Sequence, residues 1–436
     1  INRWLVHSKK IKTLLLMLFK DKVNEIEVMQ GVRSLTMTTA IKDVVTISGS
    51  LEGGSLYAPI DNKQIANIAT AMIDKGTDQK DKYEISDILD SIGAEISFSS
   101  SSNHINFTAH CMKKDLKTIM HLIAEQLSTP SLKENELELL KTRILGNLER
   151  NKEDTRKQAN IALLRKIYYP DHPNFRSTVD ESIELIKKIS IENLQNYHDQ
   201  VFGLGSVRIA SVGDVDPDNL NSIIKDSFGV LNAQNLPDTS EFDSAQKSVK
   251  HKESIHIPDK TSADVYIGQS IGIDQDHKDY IPLMMAIYIL GGNFSARLMQ
   301  TVRDKEGLTY GIGSSISSAS YKRDGYWSTW ATFSPELIKK GIESTRKQIN
   351  LWTSNGVSQS EVETKKQTIV GSYKVGMDTT GGLANRILSN DEKGRDISYL
   401  DDYPNIINSV SIDQVNNAIK TYVDPLNLVE VSAGTL

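Results

Sequence analysis

The chain has 436 residues, more than one hydrophobic core usually holds, so two domains are the default expectation. With 39% hydrophobic and 24% charged residues the composition is ordinary for a globular protein, and a net charge of −6 gives no basic field for nucleic acid or anionic membranes. The single cysteine, Cys111, excludes an internal disulfide and a thiolate metal cage, and it leaves the compartment open.

The first elements are modest. An apolar run from Ile11 to Phe19 follows Lys9 and Lys10, but it is shorter than a membrane span and no small-residue cleavage site follows it, so an amphipathic or buried segment is expected. A chain that starts at Ile1 suits a processed or excised piece, and residues 1–29 read as an extension or fragment. Val45, Ile47, Gly49 and Leu51 alternate with polar residues, as do Ile105, Phe107, Ala109 and Cys111, which predicts two half-buried strands. Between them, Gln64 to Lys75 reads as a helix closed by Gly76-Thr77.

From Ser131 onward, segments recur in the same order about 220 residues apart, too long a period for a solenoid. Ser131-Leu-Lys-Glu134 and Ser358-Gln-Ser-Glu361 each have the form of a capping box, Ser at N-cap and Glu three residues on. Ile189-Ser-Ile-Glu-Asn-Leu194 answers Val410-Ser-Ile-Asp-Gln-Val415, and these lead to strands Val207 to Gly213 and Leu428 to Gly434. Gly307 to Ser318 and Gly325 to Phe333 predict a hairpin, with Ser334-Pro335-Glu336 opening the next helix. The polar stretch 230–253 has little periodicity and reads as a linker. Grouped strands and grouped helices give an α+β class with two homologous domains, at 30–229 and 254–436, each a mostly antiparallel sheet with helices packed on one face.

The run Leu290-Gly-Gly-Asn-Phe-Ser-Ala-Arg-Leu-Met-Gln-Thr-Val-Arg-Asp-Lys-Glu-Gly-Leu-Thr-Tyr310 closely resembles the C-terminal-domain signature of pitrilysin/insulinase-type metallopeptidases. Gly76-Thr77 and Val212-Gly-Asp214 resemble the same family, and the likeness spans roughly residues 30 to 436. It implies a mitochondrial-processing-peptidase-like metallohydrolase fold. Active members carry His-x-x-Glu-His on a helix of the first domain, two imidazoles one turn apart sharing a zinc ion and a Glu that polarises its water, with a Glu ligand on a later helix.

Here those positions fall on Asn67, Ala71, Thr70 and, by spacing, Leu148. Three ligands and the base are gone together, so the expectation is no zinc and no independent peptidase activity. The family's other contribution, an Arg and a Tyr that hold substrate and meet the developing oxyanion, is matched by Arg303 and Tyr310. The resemblance therefore implies a non-catalytic subunit, or the C-terminal half, of such a peptidase. Its partner would be a zinc-bearing subunit or a fused N-terminal half, and its substrate a peptide. Envelope placement, in the periplasm, follows from similar bacterial proteins, with the cytoplasm also open. The alternative is a structural or binding protein of the same fold with no part in peptidolysis.

Other candidates read as structural. Gly291 and Gly292 suit a helix C-cap before Ser295, and the run lacks the Lys-Ser or Lys-Thr of a phosphate loop. His104 and His110 share one strand face about 20 Å apart, too far to grip one ion, and His121, His251 and His256 read as surface residues. Ser101, Ser102 and the serines from Ser314 to Ser320 have no partner motif for a nucleophile.

Overall fold

The computed structural model describes residues 18–236, 249–320 and 323–436. Most of the apolar run Ile11 to Phe19 and the centre of the 230–253 linker therefore lie outside the described residues.

Two sheets organise the chain. The first contains β1 (Val23–Met29), β2 (Val32–Thr38), β3 (Val44–Glu52), β4 (Glu95–Ser100), β5 (His104–Met112) and β6 (Val207–Gly213), in the order β1-β2-β6-β3-β5-β4. The second contains β7 (His251–His256), β8 (Ala263–Ser270), β9 (Gly311–Ser317), β10 (Tyr326–Phe333) and β11 (Val429–Gly434), in the order β7-β11-β8-β10-β9. In each sheet one pair is parallel, β2 with β6 and β7 with β11, and every other pair is antiparallel. Strand for strand the sheets share one topology, β1 being an additional edge in the first.

The two compact units are not contiguous in sequence. One comprises the described residues of Ile1–Leu140, Ile189–Pro237 and Ser372–Asn405, and the other those of Lys141–Lys188, Asp238–Gly371 and Ile406–Leu436. The expected blocks 30–229 and 254–436 differ from this division because each sheet takes a helix from the other half of the sequence.

In the first unit, Val45, Ile47, Leu51, Ile105 and Phe107 are fully buried on the face that meets helices of the same half, with Phe107 against Phe228 of the helix Pro217–Phe228 at 6.1 Å between ring centroids. On the opposite face, Leu35, Met37, Ala210 and Val212 pack with Ala384, Ile387 and Leu388 of the helix Thr380–Glu392. This corrects the expectation for β3, which is buried on both faces. Its polar residues Thr46 and Ser48 are accommodated because their hydroxyls bond the Thr380 hydroxyl at 2.8 Å and the Asn385 amide oxygen at 2.8 Å. β5 alternates as expected.

The second unit repeats the arrangement. Trp327 of β10 and Trp352 of the helix Ile338–Asn355 are fully buried, 5.7 Å apart, on the same-half face. On the other face Ala159, Leu163, Leu164 and Ile167 of the helix Thr155–Ile167 pack with Val429, Val431 and Ala433.

Of the predicted helix starts, Ser190 with Asn193, Ser411 with Gln414 and Ser358 with Glu361 form reciprocal caps. Ser131 does not: the helix begins at Glu134, Leu132 takes a positive φ of 37°, and the Ser131 amide instead bonds the Gly76 carbonyl. The helix after β10 starts at Ile338, one turn later than Ser334-Pro335-Glu336 implied. Among the described residues no helix is long and apolar enough to cross a membrane.

Candidate functional site

In the first unit the helix that the resemblance aligns with the zinc-bearing one is Gln64–Met72, which continues into a short 3-10 turn, Ile73–Lys75. Ile65, Ile68, Ala69 and Met72 are buried and fix its orientation. Asn67 is exposed and Ala71 half-buried, so two positions one turn apart share a face, as two ligands would. Thr70, which the resemblance sets at the position of the catalytic carboxylate, is 3% exposed and its hydroxyl donates to the Ala66 carbonyl at 2.8 Å. Ala71 has no donor atom for a metal and the Thr70 hydroxyl is committed, so this helix does not fit a zinc ion. Leu148, half-buried on the helix Glu134–Asn151, belongs to the other unit and brings only carbon atoms. Among the described residues no three His, Cys, Asp or Glu side chains gather as a metal would require.

The motif residues around this helix are structural. Gly76 has φ 120°, and Thr77 accepts from the Lys80 amide and donates to Glu125 Oε1 at 2.6 Å, closing the turn. In Val212-Gly-Asp214, a Cβ on Gly213 would lie 2.1 Å from the Val44 carbonyl oxygen, and Asp214 pairs with Lys113 at 2.7 Å. His110 bonds the Thr46 hydroxyl through Nδ1 at 3.0 Å and His121 the Lys117 carbonyl through Nδ1 at 2.8 Å. His104 lies 4.0 Å from Glu392.

The second unit brings Arg303 and Tyr310 together. The run after Gly292 winds into a π-helical segment, Met299–Lys305, anchored by buried Met299 and Val302. Such wide turns recur at functional sites. Arg303 lies in that segment, and its Nε donates to the Tyr310 backbone carbonyl at 2.9 Å while Nη1 meets Asp304 at 2.8 Å. Gly307, with φ 63°, makes the turn between them. Tyr310 is 95% exposed and sits one residue before β9, so its phenol is presented to solvent.

Gly291 and Gly292 are expected to cap a helix. The helix Tyr280–Gly291 does end there, but Gly292 keeps right-handed φ and ψ, so no left-handed cap is needed. Space is the reason for glycine at 291: a Cβ would stand 2.5 Å from Ser314 Cβ and 2.6 Å from its amide nitrogen on β9.

Two groups were not foreseen. Arg297 grips Glu361 with Nε at 2.6 Å and Nη2 at 2.7 Å, and also donates to the Gly356 carbonyl. Burial alone would raise the Glu361 pKa, but the Arg297 guanidinium and the Ser358 amide and hydroxyl outweigh it and hold it down at about 2. Lys365, 3% exposed, donates to Asn293 Oδ1 at 2.9 Å, Ser295 O at 3.2 Å and Ser295 Oγ at 2.7 Å. Desolvation lowers its pKa, opposed by the Glu361 charge. A tandem Lys365-Lys366 in a helix reads as a solvated face, so no sequence signal marked it.

Two sheets of one topology, one bearing a helix with no adequate metal donors and the other holding half-buried Arg303 against the backbone of exposed Tyr310, are what a metallopeptidase-type scaffold without its own metal set would present. The chain belongs to peptidase family M16: residues 33–181 match the model described as Insulinase (Peptidase family M16) and residues 188–369 that described as Peptidase M16 inactive domain. It is 21% identical over 377 residues to the non-peptidase homolog YmxG of Helicobacter pylori, covering 86% of this chain and 85% of that one. To the uncharacterized zinc protease YmxG of Bacillus subtilis it is 23% identical over 390 residues, covering 88% and 92%. A peptidase M16 inactive domain from Pseudomonas fluorescens has the same fold, with a TM-score of 0.85 at 22% identity over 95% of this chain and 98% of that one.

Proposed function

We propose that this chain is a non-zinc-binding subunit, or half, of an M16-type metallopeptidase that supplies Arg303 and Tyr310 to a zinc site carried by a partner body. The observation that carries this reading is the pairing of Arg303 with a Tyr310 that is 95% exposed. A phenol left in water, on a backbone whose carbonyl is held by the neighbouring guanidinium, is available to meet a negative charge from outside. The zinc belongs to the partner in this reading, because Asn67, Thr70, Ala71 and Leu148 offer no adequate set. The shared sheet topology supports an origin by duplication.

The test is reconstitution. Partners are co-purified from the source cells, a protein with an intact His-x-x-Glu-His helix is added to the purified chain, and peptide cleavage is measured. Arg303→Ala and Tyr310→Phe are each expected to lower turnover on the order of 100-fold, as loss of an oxyanion donor does. Unchanged turnover in both variants defeats the reading. The scaffold reading draws support from the name of the Helicobacter pylori relative, a non-peptidase homolog. It predicts partners without that helix and no cleavage in the mixture.

A further inference from the structure

Phe294 alone among the described phenylalanines is an exposed side chain, at 79%. Leaving such a ring in water forgoes about 1.5–3 kcal/mol of burial. Yet the loop that carries it is fixed. The three oxygens that Lys365 holds belong to Asn293 and Ser295, the residues on either side of Phe294. Asn293 also donates to the Tyr288 hydroxyl at 3.4 Å, and the Ser295 hydroxyl donates to Asn293 at 3.2 Å.

The anchor is an expensive one. Taking an ammonium out of water costs several kcal/mol even after relaxation. All three acceptors are neutral, and the nearby Glu361 carboxylate is committed to Arg297. Lys365 therefore does not act as half of an ion pair; its ammonium is spent on the geometry of one loop. Rigid, exposed aromatics on fixed backbone are what binding surfaces use as anchors.

We propose that Phe294 is an apolar subsite for an extended peptide, and that Lys365 is the residue that positions it. This rests on the reading that Arg303 and Tyr310 meet a peptide. Phe294 precedes Arg303 by nine residues in the same loop and helical run, on the order of 15 Å at helical rise. An extended peptide covers that in about four or five residues, so the side chain recognised is remote from the bond to be cut. An aromatic or large aliphatic side chain fits an open phenyl face by stacking or edge contact.

Peptide affinity of the full chain, measured without a partner, tests this. The probes are fluorescein-labelled dodecapeptides of Ala, Ser and Lys carrying one Phe moved along the sequence, against the same peptide without Phe. The wild-type chain should bind the best-placed Phe peptide about 5–10-fold more tightly than the control. Phe294→Ala should erase that preference without changing the urea midpoint. Lys365→Met should weaken it in the wild-type background and have no further effect on peptide affinity in the Phe294→Ala background, an outcome that general destabilisation does not produce. A preference that survives Phe294→Ala, or no preference in the wild type, overturns the proposal. So does a concentration-dependent dimer that Phe294→Ala abolishes, since the occupant would then be a second copy. If Arg303→Ala and Tyr310→Phe leave cleavage unchanged while the Phe294 preference stands, the assisting role fails and the subsite remains.

Discussion

Glu361 allows a prediction with a sign and a size. Its two oxygens take both arms of Arg297 and the Ser358 amide and hydroxyl, each bond between 2.6 and 2.8 Å, at the start of the helix Gln359–Val375. The folded-state pKa of about 2 lies below the ordinary glutamate value of 4.5. At about 1.4 kcal/mol per tenfold change in proton affinity, the difference is worth roughly 3 kcal/mol. The carboxylate and guanidinium are 28% and 24% exposed, so solvent screening brings this to roughly 2 kcal/mol. Because the folded pKa is the depressed one, the stabilisation is complete above about pH 5, declines as the pH falls through 4.5, and is gone below about pH 2. Urea unfolding followed by tryptophan fluorescence reports on this unit, because Trp327, Trp330 and Trp352 all lie in it. Glu361→Gln should lose roughly 2 kcal/mol at pH 7, and the gap to the wild type should close between pH 4.5 and pH 2.5. Other carboxylates titrate in both proteins and cancel in the difference. Parallel stability curves over that range would refute the reasoning.

Two further outcomes follow from packing and burial. Gly291→Ala places a methyl against the β9 backbone at 2.6 Å and should destabilise the second unit by about 1–3 kcal/mol, read as a lower urea midpoint at unchanged slope. Cys111 is 2% exposed and burial pushes its thiol up to about 12, so iodoacetamide at pH 8 should leave the native chain unlabelled and label it fully in 8 M urea.

The part of the molecule written in local pattern was legible. β5 alternates because only one of its faces is covered, and the Ser190, Ser358 and Ser411 caps form because each is satisfied within one turn. Ser131 carries the same short motif and fails, since a left-handed Leu132 and a bond to Gly76 decide its backbone. Arg303 and Tyr310 could be singled out as candidates because a long motif holds them. Phe294 lay inside that motif, but the anchor that gives it meaning is a lysine 71 residues further on, and a lysine in a helix looks solvated until its acceptors are known.

What no local pattern carried is the exchange of helices, and the two clusters that fix it explain why. On the first sheet, Arg33 and Arg208 stand side by side on parallel strands, a repulsive placement alone, and both direct Nε to Asp391 at 3.0 Å on the helix Thr380–Glu392. On the second the signs are reversed: Asp264 of β8, 8% exposed, accepts from Thr155 and Arg156 of the helix Thr155–Ile167 and from Thr332. In each case one charge is on the sheet and its complement more than 100 residues away on the covering helix, beyond the reach of any helical or strand period. A buried Asp264 would be costly without the helix Thr155–Ile167, and without the helix Thr380–Glu392 Arg208 would lose its carboxylate beside Arg33. The apolar row Leu35, Met37, Ala210 and Val212 would also be left uncovered. Neither sheet is covered only by its own half of the sequence, so 30–229 and 254–436 are blocks of pattern whose sheets each take a helix from the other block.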